Sequence, residues 1–569
     1  MTEIQQLPLF PPRTIEELIE DIKKLTEEIQ KLYCLDEIPW ILGFSGGKDS
    51  GTVVQLVWNA IAALPPEKRT KKIYVITTDT LVENPIVSAW VRKSLERMKF
   101  AALEQGLPIE PHLLYPDIKD TFWVNLIGKG YPSPRPRFRW CTERLKIQPS
   151  NRFVRDVVRA NGEVILVLGT RKAESIRRAS SMEKHEVGRV SDRLNNNSSS
   201  LKSLLYQSPS LPNSLVYSPI QDWRTDEVWL YLMQWQNPWG HSNKDLFAMY
   251  RGATADNECP LVIDSSTPSC GSSRFGCWVC TMVNKDKSME AMIQNDEEKE
   301  WMQPLLDIRN ELDIEDDDDK RDFRRIWGSV QFMERNVEGE SKVEPIPGPY
   351  TKFWREHWLR RVLEAQTQIR QTAPPEMRDI TLITNEELSE IRRIWLEEKH
   401  EFDDSLPKIY QEVTGELFQD TRPGVERRLL GSDEWTVLEE ISDGDIMHLE
   451  LMAKLLDTER QYYTKTRRTG IYDTLEKCFD TSARSKEEAI NNAHYQRNVN
   501  NAVKAVKENL DDIYQIKQII AGETSQTPPK NTSNIDKIKQ TVENKTEQSR
   551  QLSWADLKFS NNDSETPDE

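Results

Sequence analysis

The amino-acid sequence predicts an α/β protein, in which helices cover both faces of a parallel β-sheet, followed by a mainly helical region and a polar tail. In the first half of the chain, short apolar segments alternate with segments of helical periodicity. The apolar segments show no alternation with polar residues, which is typical of strands buried on both faces. After about residue 285, long amphipathic segments rich in Trp, Arg and Glu replace this pattern.

The individual elements follow from the position of each apolar run. The acidic, basic and apolar residues over 14–35 recur at helical spacing, which predicts an amphipathic N-terminal helix. Beyond it, apolar strands are followed by helices, as expected for a parallel sheet. The predicted strands are 40–44, 73–77, 112–115 and 164–168, and the predicted helices are 51–64, 85–105 and 151–160.

Changes in composition divide the chain into parts. The last part is polar and poor in aromatic residues, so it is expected to be disordered. The predicted parts are an N-terminal helix at 1–35, an α/β domain at 36–285 with a cysteine segment at 259–280, a helical extension at 286–521 and a disordered tail at 522–569.

Charge and hydropathy exclude several classes of protein. The net charge of −17 argues against a protein that coats nucleic acid by bulk electrostatic attraction, although it allows a local basic groove. No apolar run approaches the roughly 18 to 20 residues of a membrane span. The N-terminus has no basic segment followed by an apolar one, so no secretory signal is expected. The predicted location is therefore the cytoplasm.

The segment SGGKDS at residues 45–50 separates two apolar runs, directly after the first predicted strand. Two glycines permit backbone conformations that a Cβ would block, and consecutive amides before a helix form a cradle for an anion. The lysine and the serine hydroxyls favour phosphate as that anion, whereas the alternative is an ordinary Gly-Gly turn. The candidate phosphate-binding residues are Ser45, Gly46, Gly47, Lys48, Asp49 and Ser50, of which Lys48 and Asp49 are also candidate catalytic residues.

Several sequence blocks resemble one family. SGGKDS resembles the pyrophosphate-binding loop of the N-type ATP pyrophosphatases, and TTDT at 77–80 is similar to the place where that superfamily handles the nucleotide. GTRKAESIRR at 169–178 and SPIQDWRTDEVW at 218–229 resemble blocks of its PAPS reductase branch. The resemblance covers about 36–285. It implies an adenine nucleotide alpha hydrolase-like fold that binds ATP, and we expect Mg²⁺ to accompany the nucleotide.

The arginines of GTRKAESIRR follow the end of a predicted strand, the side on which open α/β sheets bind ligands. Guanidinium groups can hold phosphate through two parallel hydrogen bonds. Arg171 and Arg177 are therefore predicted phosphate ligands, while one or two arginines of this block could instead pair with its glutamate. Gly169 and Asp79 complete the predicted cofactor-binding set.

Four cysteines lie in one short segment, with the spacing Cys259-x10-Cys270-x6-Cys277-x2-Cys280. Four thiolates suit either structural zinc or an iron–sulfur cluster. Zinc sites more often use two closely spaced pairs, so the irregular first half favours a cluster and leaves zinc as the alternative. A segment without metal is the third interpretation.

Cys141 lies outside that segment, in RPRFRWCTERLK, with Arg and Lys on both sides. This much positive charge is expected to lower the pKa of the Cys141 thiol. A separate reactive thiolate is a candidate carrier of sulfur, and Cys141 is accordingly a candidate catalytic residue. The alternative is a buried cysteine under a basic surface.

Together, the loop, the arginine block, Cys141, the late cysteines and the long extension resemble the ATP pyrophosphatase-like proteins of bacterial DNA phosphorothioation systems. The resemblance implies a 4Fe–4S cluster, cleavage of ATP to AMP and pyrophosphate, and replacement of a non-bridging oxygen of a DNA phosphate by sulfur. It also implies the other proteins of the modification operon and a cysteine desulfurase as partners. The alternatives are tRNA thiolation by the same chemistry, a non-catalytic nucleic-acid-binding subunit that ATP switches, and sulfonucleotide reduction. The lack of an E-C-G-I-H-type C-terminal tail disfavours the last of these.

Overall fold

The structure is a computed structural model, and it divides into two compact units, Met1–Lys486 and Glu487–Glu569. In the second unit the described residues are helical. The predicted tail at 522–569 lies outside the described residues, as do Arg177, Cys259 and Cys270. The structure describes residues 13–136, 138–174, 204–208, 210–253, 275–325, 330–337, 340–422, 432–443, 445–463, 465–482, 486–491, 493–495, 497 and 500.

A six-stranded sheet lies at the centre of the first unit, with the strand order β3-β2-β1-β4-β6-β5. Strands β1 to β4 and β6 pair in parallel, and β5 pairs antiparallel with β6 at one edge. This topology confirms the predicted α/β class. The strands are β1 Trp40–Gly43, β2 Ile73–Thr78, β3 Ile109–Leu114, β4 Val164–Val167, β5 Tyr206–Gln207 and β6 Ser214–Tyr217.

Helices follow the strands and continue into the C-terminal region. Among the residues that the structure describes, no helix is long and apolar enough to span a membrane. The helices are α1 Ile15–Tyr33, α2 Lys48–Ala62, α3 Pro85–Glu104, α4 Gln148–Asn161, α5 Thr225–Gln234, α6 Asn243–Gly252, α7 Lys287–Asn295, α8 Gln303–Leu312, α9 Lys352–Thr372, α10 Asn385–Arg393, α11 Ser405–Thr414, α12 Ser432–Ile441, α13 Ile446–Tyr463 and α14 Ile471–Ser482.

The side chains of β1 show why this sheet is buried on both faces. Trp40 and Leu42 belong to a core that includes residues of α1, α2, α3 and α5. Ile41, which lies between them, belongs to a second core with Val154 and Val157 of α4. Successive side chains of a strand point to opposite faces, so each face of the sheet has its own helical layer. This explains the uninterrupted apolar runs in the sequence.

The C-terminal region contains a feature that the sequence analysis missed. A two-stranded antiparallel hairpin, formed by β7 Phe332–Val337 and β8 Glu340–Pro345, interrupts the predicted helical extension. Its segments, FMERNV and ESKVEP, are rich in charged residues and lack the apolar alternation that indicates a strand. Pairing between the two strands, rather than side-chain periodicity, therefore determines this structure. The other described elements between Lys287 and Ser482 are helical, as predicted.

The helical region shares a core with the α/β domain. Trp123 and Leu126, from the connection between β3 and α4, pack in one cluster with Leu305 and Leu359 of α8 and α9. The Trp123 indole also donates a hydrogen bond of 2.8 Å to the backbone oxygen of Leu382. The extension is thus packed against the domain that carries the glycine loop, and its side chains can influence the site described next.

Candidate functional site

The glycine loop connects the carboxyl end of β1 to the N-terminus of α2. Gly46 has a φ of +74°, and a Cβ at this position would lie 2.4 Å from a methyl carbon of Val91, so a larger residue would be both strained and crowded. Gly47 is the N-cap of α2, and no side chain caps the helix. The first amides of a helix have no partner within the helix, so this end of α2 can bind an anion.

The two serines of the loop hold its shape from inside. The Ser45 amide donates to Ser50 Oγ at 3.1 Å, and the two hydroxyl oxygens lie 3.0 Å apart. Two aromatic residues hold the loop from outside, since Trp90 donates to the Gly46 oxygen at 3.1 Å and Tyr250 Oη accepts from the Lys48 amide at 3.4 Å. These contacts therefore define the geometry of the loop.

Asp49 joins the loop lysine to a buried arginine. One carboxylate oxygen lies 3.3 Å from Lys48 Nζ, and the other accepts from Arg171 Nε at 2.7 Å. Arg171 is only 1% exposed, and its remaining guanidinium nitrogens donate to the Trp223 oxygen and to Thr225 Oγ1. The structure thus shows Arg171 as support for Asp49, whereas its direct contact with phosphate stays a prediction.

Gly169 packs against the backbone of the glycine loop, so its substitution tests whether the position of the loop matters. A Cβ on Gly169 would lie 2.9 Å from the backbone carbon and oxygen of Asp49 and 3.0 Å from the Ser50 amide nitrogen. Gly169→Ala must therefore displace the loop backbone. Because a displacement of about 1 Å can cost on the order of a hundredfold in rate, we expect a large loss of ATP cleavage, measured as released pyrophosphate.

Gly51→Ala is the matched control for Gly169→Ala. Gly51 lies in the first turns of α2, and no neighbouring atom lies within 4 Å of the Cβ it would gain. Alanine is favoured over glycine in helices by about 1 kcal/mol, so this variant should retain activity and gain thermal stability. Equal activity of the two variants would contradict the role of Gly169.

Asp79 follows the carboxyl end of β2 and is 6% exposed. Its two carboxylate oxygens accept hydrogen bonds from the Leu81 amide at 2.9 Å and from Arg92 Nη2 at 2.7 Å. The bond from Arg92 to Asp79 raises the pKa of the guanidinium. These contacts keep the Asp79 carboxylate at the carboxyl ends of the strands, where the glycine loop also lies. The contact of Asp79 with the nucleotide stays a prediction.

Cys277 lies beside the same edge. The segment that contains it forms an antiparallel bridge between Cys277 and Glu83, and Trp278 donates to the Val82 oxygen at 2.9 Å. Thr80 Oγ1, one residue after Asp79, lies 3.3 Å from Cys277 Sγ. The Cys280 amide donates to the Cys277 oxygen at 3.1 Å, which closes the turn between the two cysteines. The described half of the cysteine segment is therefore attached to the end of β2.

Two expectations for Cys141, its pKa and its separation from the other cysteines, differ from what the structure shows. Burial raises the pKa of its thiol, and the nearby Cys280 contributes in the same direction, so the predicted lowering is wrong. The basic neighbours interact elsewhere, because Arg144 binds Asn125 and Tyr131 and Lys146 lies 3.3 Å from Glu83. Cys141 interacts electrostatically with Cys280, so the fold brings it close to a cysteine from which it is distant in sequence.

The thiols of the cysteine segment at 259–280 suit a soft metal. Burial raises the pKa of Cys277 to about 12, which means that the thiolate forms there only with a strong positive partner. A bound metal supplies that charge, and soft thiolates select zinc or iron–sulfur clusters. Within the described residues, no three His, Cys, Asp or Glu side chains are grouped so that they could hold a metal ion. Two of the four predicted ligands, Cys259 and Cys270, lie outside the described residues.

Glu83 and Lys146 were not predicted as part of this site, and Thr80 was predicted only within the nucleotide-handling block TTDT. Thr80, Glu83 and Lys146 surround the Cys277 thiol, with Glu83 Oε1 3.9 Å from the sulfur. Electrostatic interactions with Cys277 and with Glu83 raise the pKa of Lys146. Lys146 was visible as one of several basic residues near Cys141, but no local pattern indicated that it faces Cys277.

Comparisons with known proteins support the resemblance to the PAPS reductase branch. Residues 39–282 match the family of the phosphoadenosine phosphosulfate (PAPS) reductase domain. The chain is 26% identical over 221 residues to an uncharacterized protein of Methanocaldococcus jannaschii, a match that covers 38% of this chain and 35% of the relative. The chain thus spans about a third of the length of that curated relative.

A solved structure of the U34-tRNA thiolase NcsA from Methanococcus maripaludis, which contains a 4Fe–4S cluster, is also similar. The sequence identity is 13% and the TM-score is 0.24, over 52% of this chain and 78% of that chain.

Proposed function

We propose that the PAPS reductase-like domain formed by residues 39–282 cleaves ATP to AMP and pyrophosphate, and that this reaction activates a DNA phosphate for replacement of a non-bridging oxygen by sulfur. The chain would then be a DNA phosphorothioation protein of the DndC or SspD type. One observation carries the proposal. Cys277 is attached through Thr80 and Glu83 to the segment after β2, the strand that pairs with β1, and β1 carries the glycine loop. This arrangement supports the proposal that phosphate activation and sulfur chemistry share one site.

In the first step the β- and γ-phosphates of ATP bind on the glycine loop. The N-terminus of α2 and Lys48 stabilise their negative charge, and Asp49 keeps Lys48 in place. Mg²⁺, when bound, neutralises the pyrophosphate leaving group. An oxygen of the acceptor phosphate attacks the α-phosphorus and pyrophosphate leaves, so that the acceptor oxygen now belongs to a good leaving group, AMP.

In the second step a sulfur nucleophile displaces AMP from the activated phosphate. The sulfur comes from Cys141 or from the cluster, and a cysteine desulfurase is its source. If Cys141 carries it as a persulfide, the outer sulfur attacks the phosphorus and displaces AMP. A further thiol then attacks the remaining S–S bond, which releases the phosphorothioate and leaves a disulfide on Cys141, and an external thiol reductant restores the free cysteine. Cys259, Cys270, Cys277 and Cys280 would hold a 4Fe–4S cluster, with zinc as the alternative metal. Such a cluster would supply a soft centre that stabilises thiolates. The other proteins of the modification operon would bring the DNA, in the cytoplasm.

Mass spectrometry of nucleic acids from a deletion strain tests the acceptor. Cells complemented with the wild-type chain and its operon partners should contain phosphorothioate-linked dinucleotides in their DNA, whereas cells complemented with Asp49→Ala should not. Thiolated nucleosides in tRNA, with no sulfur in DNA, would replace DNA by tRNA as the acceptor. Purified chain that releases no pyrophosphate from ATP in the presence of DNA and partners would overturn the enzymatic proposal.

A further inference from the structure

We propose that Arg309, in the helical region beyond the PAPS reductase-like domain, is the positioning residue that sets the geometry of the Cys277–Cys280 turn. The proposal rests on the proposed function where it concerns a metal on these cysteines. Arg309 lies on α8 and is 1% exposed. Its guanidinium faces the backbone that immediately follows Cys280.

The donors of Arg309 are used by this turn and by its own helix. Nε donates to the Cys280 oxygen at 3.1 Å, one terminal nitrogen donates to the Asn284 oxygen at 3.0 Å, and the other donates to the Val283 oxygen. Asn310 Oδ1 accepts a hydrogen bond at 3.0 Å, and an Asp313 carboxylate oxygen forms an ion pair with a terminal nitrogen at 3.1 Å. A guanidinium has five N–H donors, of which four hydrogen bonds use four, and the ion pair with Asp313 lies at the same end of the group.

The turn therefore has anchors on two sides. On the side of the sheet, Cys277 bridges to Glu83 and Trp278 binds the Val82 oxygen. On the opposite side, Arg309 holds the carbonyls of Cys280 and of the residues that follow it. The direction of the Cys280 side chain depends on the backbone at Cys280, so a residue that fixes this carbonyl also orients the thiol.

The presence of arginine at position 309, rather than lysine or an apolar residue, supports a role in fixing the geometry of the turn. A buried charge costs free energy, and an apolar side chain often stabilises a core at least as well. A planar guanidinium, however, presents its donors in a rigid fork and holds several acceptors in a fixed relation. Lysine has three donors at one point, so Arg309→Lys leaves part of the set of carbonyls without a partner.

Arg355 offers a matched control for a merely structural role. It lies on α9, is 3% exposed, and donates to Tyr350 O and to the carboxylate of Glu401. It thus resembles Arg309 in burial and in ionic character. Arg355→Lys should cost thermal stability without affecting the cysteines.

The experiment compares full-length wild type, Arg309→Lys and Arg355→Lys after anaerobic reconstitution with iron and sulfide. Both variants should lower Tm. Arg309→Lys alone should weaken metal affinity by about tenfold or more, the effect typical of lost outer contacts at metal sites. In chelated protein, Arg309→Lys alone should also change the rate at which iodoacetamide alkylates Cys280, followed by peptide mass spectrometry.

Two results would overturn the role of Arg309. Either Arg309→Lys keeps the wild-type metal affinity and Cys280 alkylation rate, or Arg355→Lys alters both to the same extent. If Arg309→Lys does not fold, Asn310→Ala replaces it, because this exposed residue only orients the guanidinium and should act in the same direction with a smaller effect. Wild type that takes up neither iron nor zinc would refute the proposed cofactor, and the alkylation rates would then decide the role of Arg309 alone.

Discussion

Asp49→Ala is expected to release pyrophosphate from ATP at least about a hundredfold more slowly than the wild-type chain, the usual scale for loss of one electrostatic contact in a catalytic site. The carboxylate holds Lys48 at 3.3 Å on one oxygen and the buried Arg171 at 2.7 Å on the other. Without it, Lys48 loses the partner that would orient it in the proposed phosphate site, and Arg171 is left as a buried charge without its carboxylate partner. The rate is measured with a coupled pyrophosphate assay at saturating ATP.

Asp49→Asn and Asp117→Ala complete this experiment. The amide of Asp49→Asn would keep an acceptor for Arg171 but lose the negative charge, so the thermal stability of this variant should exceed that of Asp49→Ala while its activity stays low. Asp117 forms an exposed pair with Arg152, and such pairs contribute about 0–1 kcal/mol, so its removal should leave the rate unchanged. A wild-type rate in Asp49→Ala would refute the catalytic interpretation of the loop.

Cys277→Ser is expected to remove most of the bound iron and acid-labile sulfide while leaving the release of pyrophosphate intact. A serine hydroxyl has nearly the same shape as the thiol but is a poor donor to soft metals. The glycine loop has its own supports in Trp90, Tyr250 and Arg171, so ATP cleavage should not depend on the cysteine. Anaerobic iron, zinc and sulfide analysis measures the first effect.

Cys34→Ser is the control for Cys277→Ser, because Cys34 is an exposed free cysteine at the end of α1. It should retain wild-type metal content. Zinc without sulfide in the wild-type chain would identify a zinc site instead of a cluster. Full iron content in Cys277→Ser would exclude Cys277 as a ligand, and Cys141 would then be the next residue to replace, since it packs against the same core.

Much of the α/β domain could be predicted because its signals are local. An uninterrupted apolar run indicates a strand buried on both faces, and Trp40, Ile41 and Leu42 lie in such a strand. SGGKDS contains both glycines and the lysine of its loop within six residues, so its conformation and charge are visible without any distant contact. The charged hairpin β7–β8 was missed because its strands carry no such local signal.

The site as a whole depends on residues that are far apart in the chain. Arg171 and Asp49 are separated by 122 positions, and Thr80 and Cys277 by 197. Packing in the folded chain determines which distant residues become partners. A single sequence has no periodic pattern that indicates these pairs. The pKa of Cys141 shows the same limit, since its basic neighbours predicted a lowering and burial in the fold raises it.

The sequence by itself thus determined the sheet, the helices that cover it and the glycine loop at residues 45–50, because periodicity, glycine and local charge act over a few residues. Phosphate binding by that loop stays a prediction. Only the tertiary structure decided that Arg171 supports Asp49, that Cys141 joins the late cysteines, and that Arg309 reaches the Cys280 carbonyl. These contacts arise when the chain buries its apolar surface and brings distant polar groups together out of water, where each must find a partner.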